Sequence, residues 1–328
     1  MLEHVGILLV ALTTLVWSAD KFVFGASSLA RNLGVSPMII GLTIVAMGSS
    51  APEMMVAAAA SMQGNPDTAI GNAIGSNITN IALVLGFTVL VKPLVVSSST
   101  IKQELPLLLI LTLFAYWILA DNFFSLSEGM ILMIGFFSFI SILLIKALKQ
   151  RKNNTLDDPM IIEAEQELPE ATSTIKSVFW LITGITLLVL SANFLVDSAI
   201  LIAKAYGISD LVIGLTIIAI GTSLPELAAS IASMLKKEDD LAMGNIVGSN
   251  IFNILAVLPF AGIIAPGATN PEASLRDAPV MIAITGLLFL LCFSRKSGYF
   301  RLTRTKGALL VICFIAYQVL LFNQTTIN

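Results

Sequence analysis

The chain has 328 residues, 56% hydrophobic and only 12% charged, with a net charge of −3 and a mean hydropathy of +0.92. Soluble domains carry about 25% charged residues, so this composition places the chain in a bilayer. The small net charge gives no basis for nucleic-acid binding, and one His (His4) with two distant Cys (Cys292, Cys313) supports neither zinc or haem ligation nor a disulfide framework.

Crossing a bilayer takes about 20 apolar residues. Ten runs qualify, near 5–30, 37–62, 69–91, 105–120, 128–147, 177–203, 210–235, 241–264, 279–294 and 307–323, the fourth and ninth being short. The first lacks the basic leader and the short length of a cleavable signal peptide. Between the fifth and sixth lies a polar segment, 148–176, with six acids (Asp157, Asp158, Glu163, Glu165, Glu167, Glu170) in no ligand-like spacing. It reads as a solvated linker. With alternating loops, fifteen Lys and Arg fall on one side and only Lys204 and Arg276 on the other. The positive-inside bias makes the fifteen cytoplasmic and turns both termini outward.

The second and seventh runs share a motif. GLTIVAMGSSAPE at 41–53 returns as GLTIIAIGTSLPE at 214–226, and GNAIGSNITN at 71–80 returns as GNIVGSNIFN at 244–253, both 173 positions on without a gap. The same offset aligns Pro93 with Pro266, Glu104 with Asp277 and Pro106 with Pro279. A duplication of five spans, an odd number, reverses the sense of the second copy. The expected fold is therefore an all-α polytopic membrane protein of ten transmembrane helices in two inverted five-helix repeats, the architecture of secondary transporters. The expected units are 1–147 (motif 41–86), the linker 148–176, and 177–328 (motif 214–259).

The chemistry sits in the motifs. Pro52 lacks an N–H and its ring clashes with the Gly48 carbonyl, so the ladder breaks in mid-span and carbonyls near Ala46 to Ser49 are freed. Glu53 follows, with Ser49 and Ser50 four and three residues before it on the same side. Carboxylate, hydroxyl and carbonyl oxygens together suit a hard cation. Ala219, Thr222, Ser223, Pro225 and Glu226 repeat the set. In the third run Asn72, Ser76 and Asn80 share one face beside Gly71 and Gly75, whose spacing lets two helices approach closely. Asn245, Ser249 and Asn253 repeat it beside Gly244 and Gly248. An intramembrane carboxylate marks a functional site, and here it occurs twice in register. Asp20 reads as a structural or lining group, and Thr43 and Thr216 as packing residues that bond back to their own helix. Two facing carboxylates repel unless cations or protons join them, which favours exchange of one bound ion for another.

GSSAPE and GTSLPE, each followed by GN-x-x-GSN-x-x-N, resemble the alpha-repeats of the calcium/cation antiporter superfamily, closest to prokaryotic sodium/calcium exchangers. The resemblance spans the whole chain. It implies calcium–sodium antiport by alternating access without an enzymatic step or cofactor, in a prokaryotic inner membrane, by a chain functional on its own. Calcium and sodium, or protons, are then its only partners besides lipid. Carried over, Glu53 and Glu226 coordinate calcium and also serve sodium; Ala46, Ser49, Ser50 and Ser76, with Ala219, Thr222, Ser223 and Ser249, supply backbone and hydroxyl ligands; Asn80 is a central ligand. Its counterpart is Asp in some sodium/calcium exchangers and here is Asn253, which leaves sodium or proton open as counter-ion. No nucleotide-binding GxxxxGK[ST] supports a pump, and an inverted duplication argues against the remaining rival, a cation channel.

Overall fold

The computed structural model describes residues 2–33, 46–48, 50–96, 100–152, 172–235, 239–292 and 300–325. It is built of helices in two matching sets. The first comprises α1 (Leu2–Asn32), α2 (Ala46–Gly48 and, after a break, Ala51–Met62), α3 (Pro66–Val91), α4 (Thr100–Leu119) and α5 (Leu126–Lys152). The second comprises α6 (Thr174–Tyr206), α7 (210–222 and, after a break at Ser223, Leu224–Leu235), α8 (239–264), α9 (Ala273–Cys292) and α10 (Arg304–Thr325). Nine of these are long and apolar enough to cross a membrane among the described residues; the described part of α2 is the exception, and residues 34–45 lie outside them. The polar segment 153–171 also lies outside.

The 173-residue offset holds to the residue in several places. Ala51–Met62 maps onto Leu224–Leu235, and Leu105–Leu119 onto Ala278–Cys292. The fourth and ninth helices are longer than their apolar runs suggested, because π-helical turns at Thr100–Glu104 and Ala273–Asp277 carry each helix back into polar sequence. π-helical turns also interrupt α3 at Thr79–Leu85 and α8 at Asn253–Val257. Such turns widen the ladder at functional positions.

Two short antiparallel ribbons establish the inversion. Strand β1 (Leu94–Val96) follows α3 and pairs with β4 (Phe300–Leu302), in register Leu94 with Leu302. Strand β3 (Gly267–Ala268) follows α8 and pairs with β2 (Phe123–Phe124). Helix α4 carries the chain from β1 to β2 over 20 residues, so the ribbons cap opposite ends of the bundle. The equivalent helices α3 and α8 therefore run in opposite senses.

Helices α3 and α8 form the centre, 78% and 89% of their span windows being buried against 28% for α1, α5 and α10. The last helix of each set packs on the other set: α5 along the end of α8, and α10 along the end of α3. Helices α1 and α6 lie against one another along their length, with Gly25 on the Leu181 backbone and Gly184 on the Phe22 backbone. Gly64 (φ 77°) ends α2 and Gly207 (φ 67°) ends α6, the left-handed conformation that closes a helix most cheaply in glycine.

Candidate ion-binding site

The breaks in α2 and α7 come from the same local chemistry. Pro52 and Pro225 occupy the first turn of the second pieces, where the missing N–H is not needed. Ser50 and Ser223 sit at the junctions, with φ −88° and −85° and ψ near zero. Each following carboxylate lies in the first turn of its piece, at the positive end of the peptide dipoles. The expectation of bare carbonyls is met only in part. The Ala219 carbonyl accepts from Ser223 N at 3.2 Å and is approached by Thr222 Oγ1 at 3.5 Å.

The small residues bring the two sets together. Gly71 packs on the Leu211 carbonyl, and a Cβ on Gly214 would stand 2.5 Å from the Thr68 carbonyl oxygen. A methyl group on Gly75 would stand 2.7 Å from Leu215 Cα and 2.8 Å from Ala219 Cβ. Helix α3 of one set thus crosses α7 of the other at backbone contact. Asn72 Nδ2 donates to the Glu53 carbonyl at 3.1 Å, and its equivalent Asn245 donates to the Glu226 carbonyl at 3.4 Å. Thr222 Oγ1 approaches Asn72 Oδ1 at 3.5 Å.

Glu53 and Glu226 are both fully buried and close enough to act on one another electrostatically. Ser50, Ser76, Asn80, Ala219, Thr222, Ser223, Ser249 and Asn253 are buried as well. Of the remaining sequence candidates, Ser49 lies outside the described residues, and Ala46 is placed by backbone alone at the start of the short turn before the break.

The two halves of this cluster differ. Around Glu226 the groups bond to one another: Ser249 Oγ donates to Glu226 Oε1 at 3.1 Å, Asn80 Nδ2 donates to Ser249 Oγ at 3.2 Å, and the Ser50 and Ser249 hydroxyls are 3.4 Å apart. Their counterparts 173 positions away, Ser76, Asn253 and Ser223, do not. Among the described residues, neither Glu53 carboxylate oxygen, nor the hydroxyls of Ser76 and Ser223, nor either end of the Asn253 amide has a hydrogen-bond partner. The neighbouring Thr222 hydroxyl is turned to the Ile218 carbonyl at 3.1 Å. Buried polar atoms without partners cost about 1–3 kcal/mol each, so several of them on the motif residues point to a bound group that they coordinate.

One member was not foreseen. Ser230, fully buried one turn beyond Glu226, accepts from Asn245 Nδ2 at 3.3 Å. Its repeat counterpart is Ala57, so the offset comparison could have exposed it only as a mismatch. Thr216 bonds back to the Val212 carbonyl at 2.8 Å as expected, while Thr43 lies outside the described residues. Asp20 pairs with Lys21 at 2.8 Å on α1, in keeping with a structural role. Among the described residues no three His, Cys, Asp or Glu side chains gather, so the oxygen set is two carboxylates and neutral groups.

The family model for "Sodium/calcium exchanger protein" matches residues 3–145 and 176–323, almost all of both helix sets. The chain belongs to the sodium/calcium exchanger family. Relatives include the inner membrane protein YrbG of Escherichia coli, 40% identical over 98% of each chain. The sodium/calcium exchanger MaX1 of Methanosarcina acetivorans is 31% identical over 96% of this chain and 97% of its own. Among solved structures, the sodium-calcium exchanger NCX_Mj soaked with Na+ and Sr2+ superposes with a TM-score of 0.59 at 31% identity, covering 96% of this chain and 97% of that one. This exchanger-family chain is thus a polytopic membrane transporter, a calcium/cation antiporter of the prokaryotic exchanger type, and not an enzyme.

Proposed function

We propose that the chain exchanges calcium for sodium at a site centred on Glu53 and Glu226 by alternating access. The observation that carries this reading is the pair of fully buried, mutually interacting carboxylates ringed by oxygen atoms, several of them without partners. Two negative charges in low dielectric repel each other and lack water. One calcium ion neutralises them, and so do sodium ions sharing the same oxygens. The loaded site can be occluded and passed across, whereas the empty one is costly to close. Exchange of ions, rather than leak, follows from that difference. The ligand set combines Glu53, Glu226, Ser49, Ser50, Ser76, Thr222, Ser223 and Ser249 with Asn80 and Asn253 and the carbonyls of Ala46 and Ala219.

The units are the five-helix repeats 1–147 and 177–328 joined by the linker 148–176, with the linker cytoplasmic, both termini outside, and the single chain sufficient for transport in a prokaryotic inner membrane. Proton–calcium exchange is the second reading. Asn253 bears on it, because a neutral amide stands where some sodium/calcium exchangers carry Asp and the pocket has one ionisable oxygen fewer, which leaves the choice between sodium and protons to experiment. The test is radiolabelled calcium uptake into proteoliposomes loaded with sodium, against equal sodium on both sides and against an imposed pH gradient. Uptake driven by the sodium gradient is the expected result. Uptake driven only by the pH gradient would replace sodium by protons, and no calcium flux under either gradient would remove calcium as substrate.

A further inference from the structure

Away from the carboxylates, α1 and α6 part to leave a groove of about 580 Å³ lined by Gly6, Ile7, Val10, Thr14, Leu190 and Phe194, with Glu3 at one end. From Glu3 to Thr14 the groove follows α1 for roughly 16 Å, about half the 30 Å hydrocarbon thickness. Val10, Leu190 and Phe194 are all exposed on the outer face of the bundle, where lipid lies. The volume falls within the range of small-ligand sites, about 300–1,000 Å³.

The repeat shows that this space is specific to one end. The residues 173 positions on from Glu3, Gly6 and Ile7 are Lys176, Phe179 and Trp180, and those 173 before Leu190 and Phe194 are Trp17 and Lys21. At that end the protein fills its own gap. Trp17 and Trp180 meet edge to face at 6.1 Å, Phe179 lies 5.2 Å from Trp180, and Lys21 Nζ sits 5.6 Å from the Trp180 ring. Glycine replaces the aromatic at position 6, and a side chain there would meet nothing within 4 Å. The mouth also changes sign, from Lys176 to Glu3.

We propose that this groove seats one acyl chain of a phospholipid with a cationic amine headgroup, of the phosphatidylethanolamine kind, in the leaflet at the N-terminal end of α1. The chain lies along Gly6, Val10 and Thr14 where the opposite end has its aromatic cluster. The Glu3 carboxylate receives the ammonium group, an attraction worth more at a membrane interface than in water. An anionic headgroup such as phosphatidylglycerol offers Glu3 no such partner.

The test is native mass spectrometry of the delipidated full chain, titrated with phosphatidylethanolamine or phosphatidylglycerol of identical acyl chains. Wild type is expected to retain one phosphatidylethanolamine in preference to phosphatidylglycerol. Gly6→Leu, which fills open space, should weaken retention about tenfold, the effect of one occupied position in an apolar pocket. Gly6→Phe combined with Ile7→Trp should abolish it. Glu3→Gln, at an exposed position, should keep the lipid but lose the headgroup preference. Equal retention by wild type and Gly6→Leu, or an unchanged preference in Glu3→Gln, would overturn the proposal.

Discussion

Glu53→Gln keeps the shape of the side chain and removes one of two facing buried charges. Like charges about 4–8 Å apart repel by roughly 2–4 kcal/mol at an effective dielectric near 20. Against that relief stand only the neighbouring Thr222 hydroxyl and a backbone group at Glu53, which favour the charged form. The ion-free variant should therefore melt no lower than wild type. Calcium binding should suffer instead. Truncating one member of a buried charge pair costs about 2–5 kcal/mol, or roughly 30- to 4,000-fold in affinity. At calcium one hundred times the wild-type Kd, wild type gains about 2.7 kcal/mol of stability, while the variant gains less than about 1 kcal/mol. Thermal unfolding with and without calcium reads both quantities, and proteoliposome uptake reads the lost flux. A full calcium-induced shift in Glu53→Gln would refute the site. A large loss of stability without calcium would instead make Glu53 a structural group.

Asn253→Asp adds an ionisable oxygen to the partner-poor half of the cluster. Calcium uptake by this variant should fall as pH is lowered and the new carboxyl takes up protons, more steeply than in wild type, in a flux assay across pH. Gly75→Val should lower the melting temperature by about 1–3 kcal/mol equivalent, because a Cβ there stands 2.7 Å from Leu215 Cα. Asp277, fully buried, accepts from Arg276 Nε at 2.6 Å and from the Tyr317 hydroxyl at 2.8 Å, tying α9 to α10. Asp277→Ala should cost about 3–5 kcal/mol and Tyr317→Phe about 1.5–3 kcal/mol in unfolding measurements. Reporter fusions should place residue 155 in the cytoplasm and residue 328 outside; the reverse would refute the orientation.

Helix positions were legible because the signals are local. Proline at 52 and 225 ends the hydrogen-bond ladder wherever it stands, so the breaks in α2 and α7 could be placed to within a residue or two. The start of α4 was read too late, since Thr100–Glu104 is mostly polar and the burial of Thr100, Ile101 and Glu104 that marks the helix there is a tertiary feature. Ser230 went unnoticed because a single serine on a buried face carries no periodic signal.

The duplication, its odd number of spans and the two intramembrane carboxylates were determined by sequence alone, since each follows from residue identity and spacing. The contacts between the sets were decided by tertiary structure. Ser50 meets Ser249 and Asn80 meets Ser249 across about half the chain, and no local rule brings such residues to hydrogen-bond distance. They join α2 and α3 of one set to α8 of the other, while α3 and α7 cross at backbone contact at Gly71, Gly75 and Gly214. The same holds for the inequality of the two halves. A repeat is symmetric as sequence, but the packed helices are not: Ser249, Asn80 and Ser50 bond to one another, while their counterparts Ser76, Asn253 and Ser223 have no partner among the described residues.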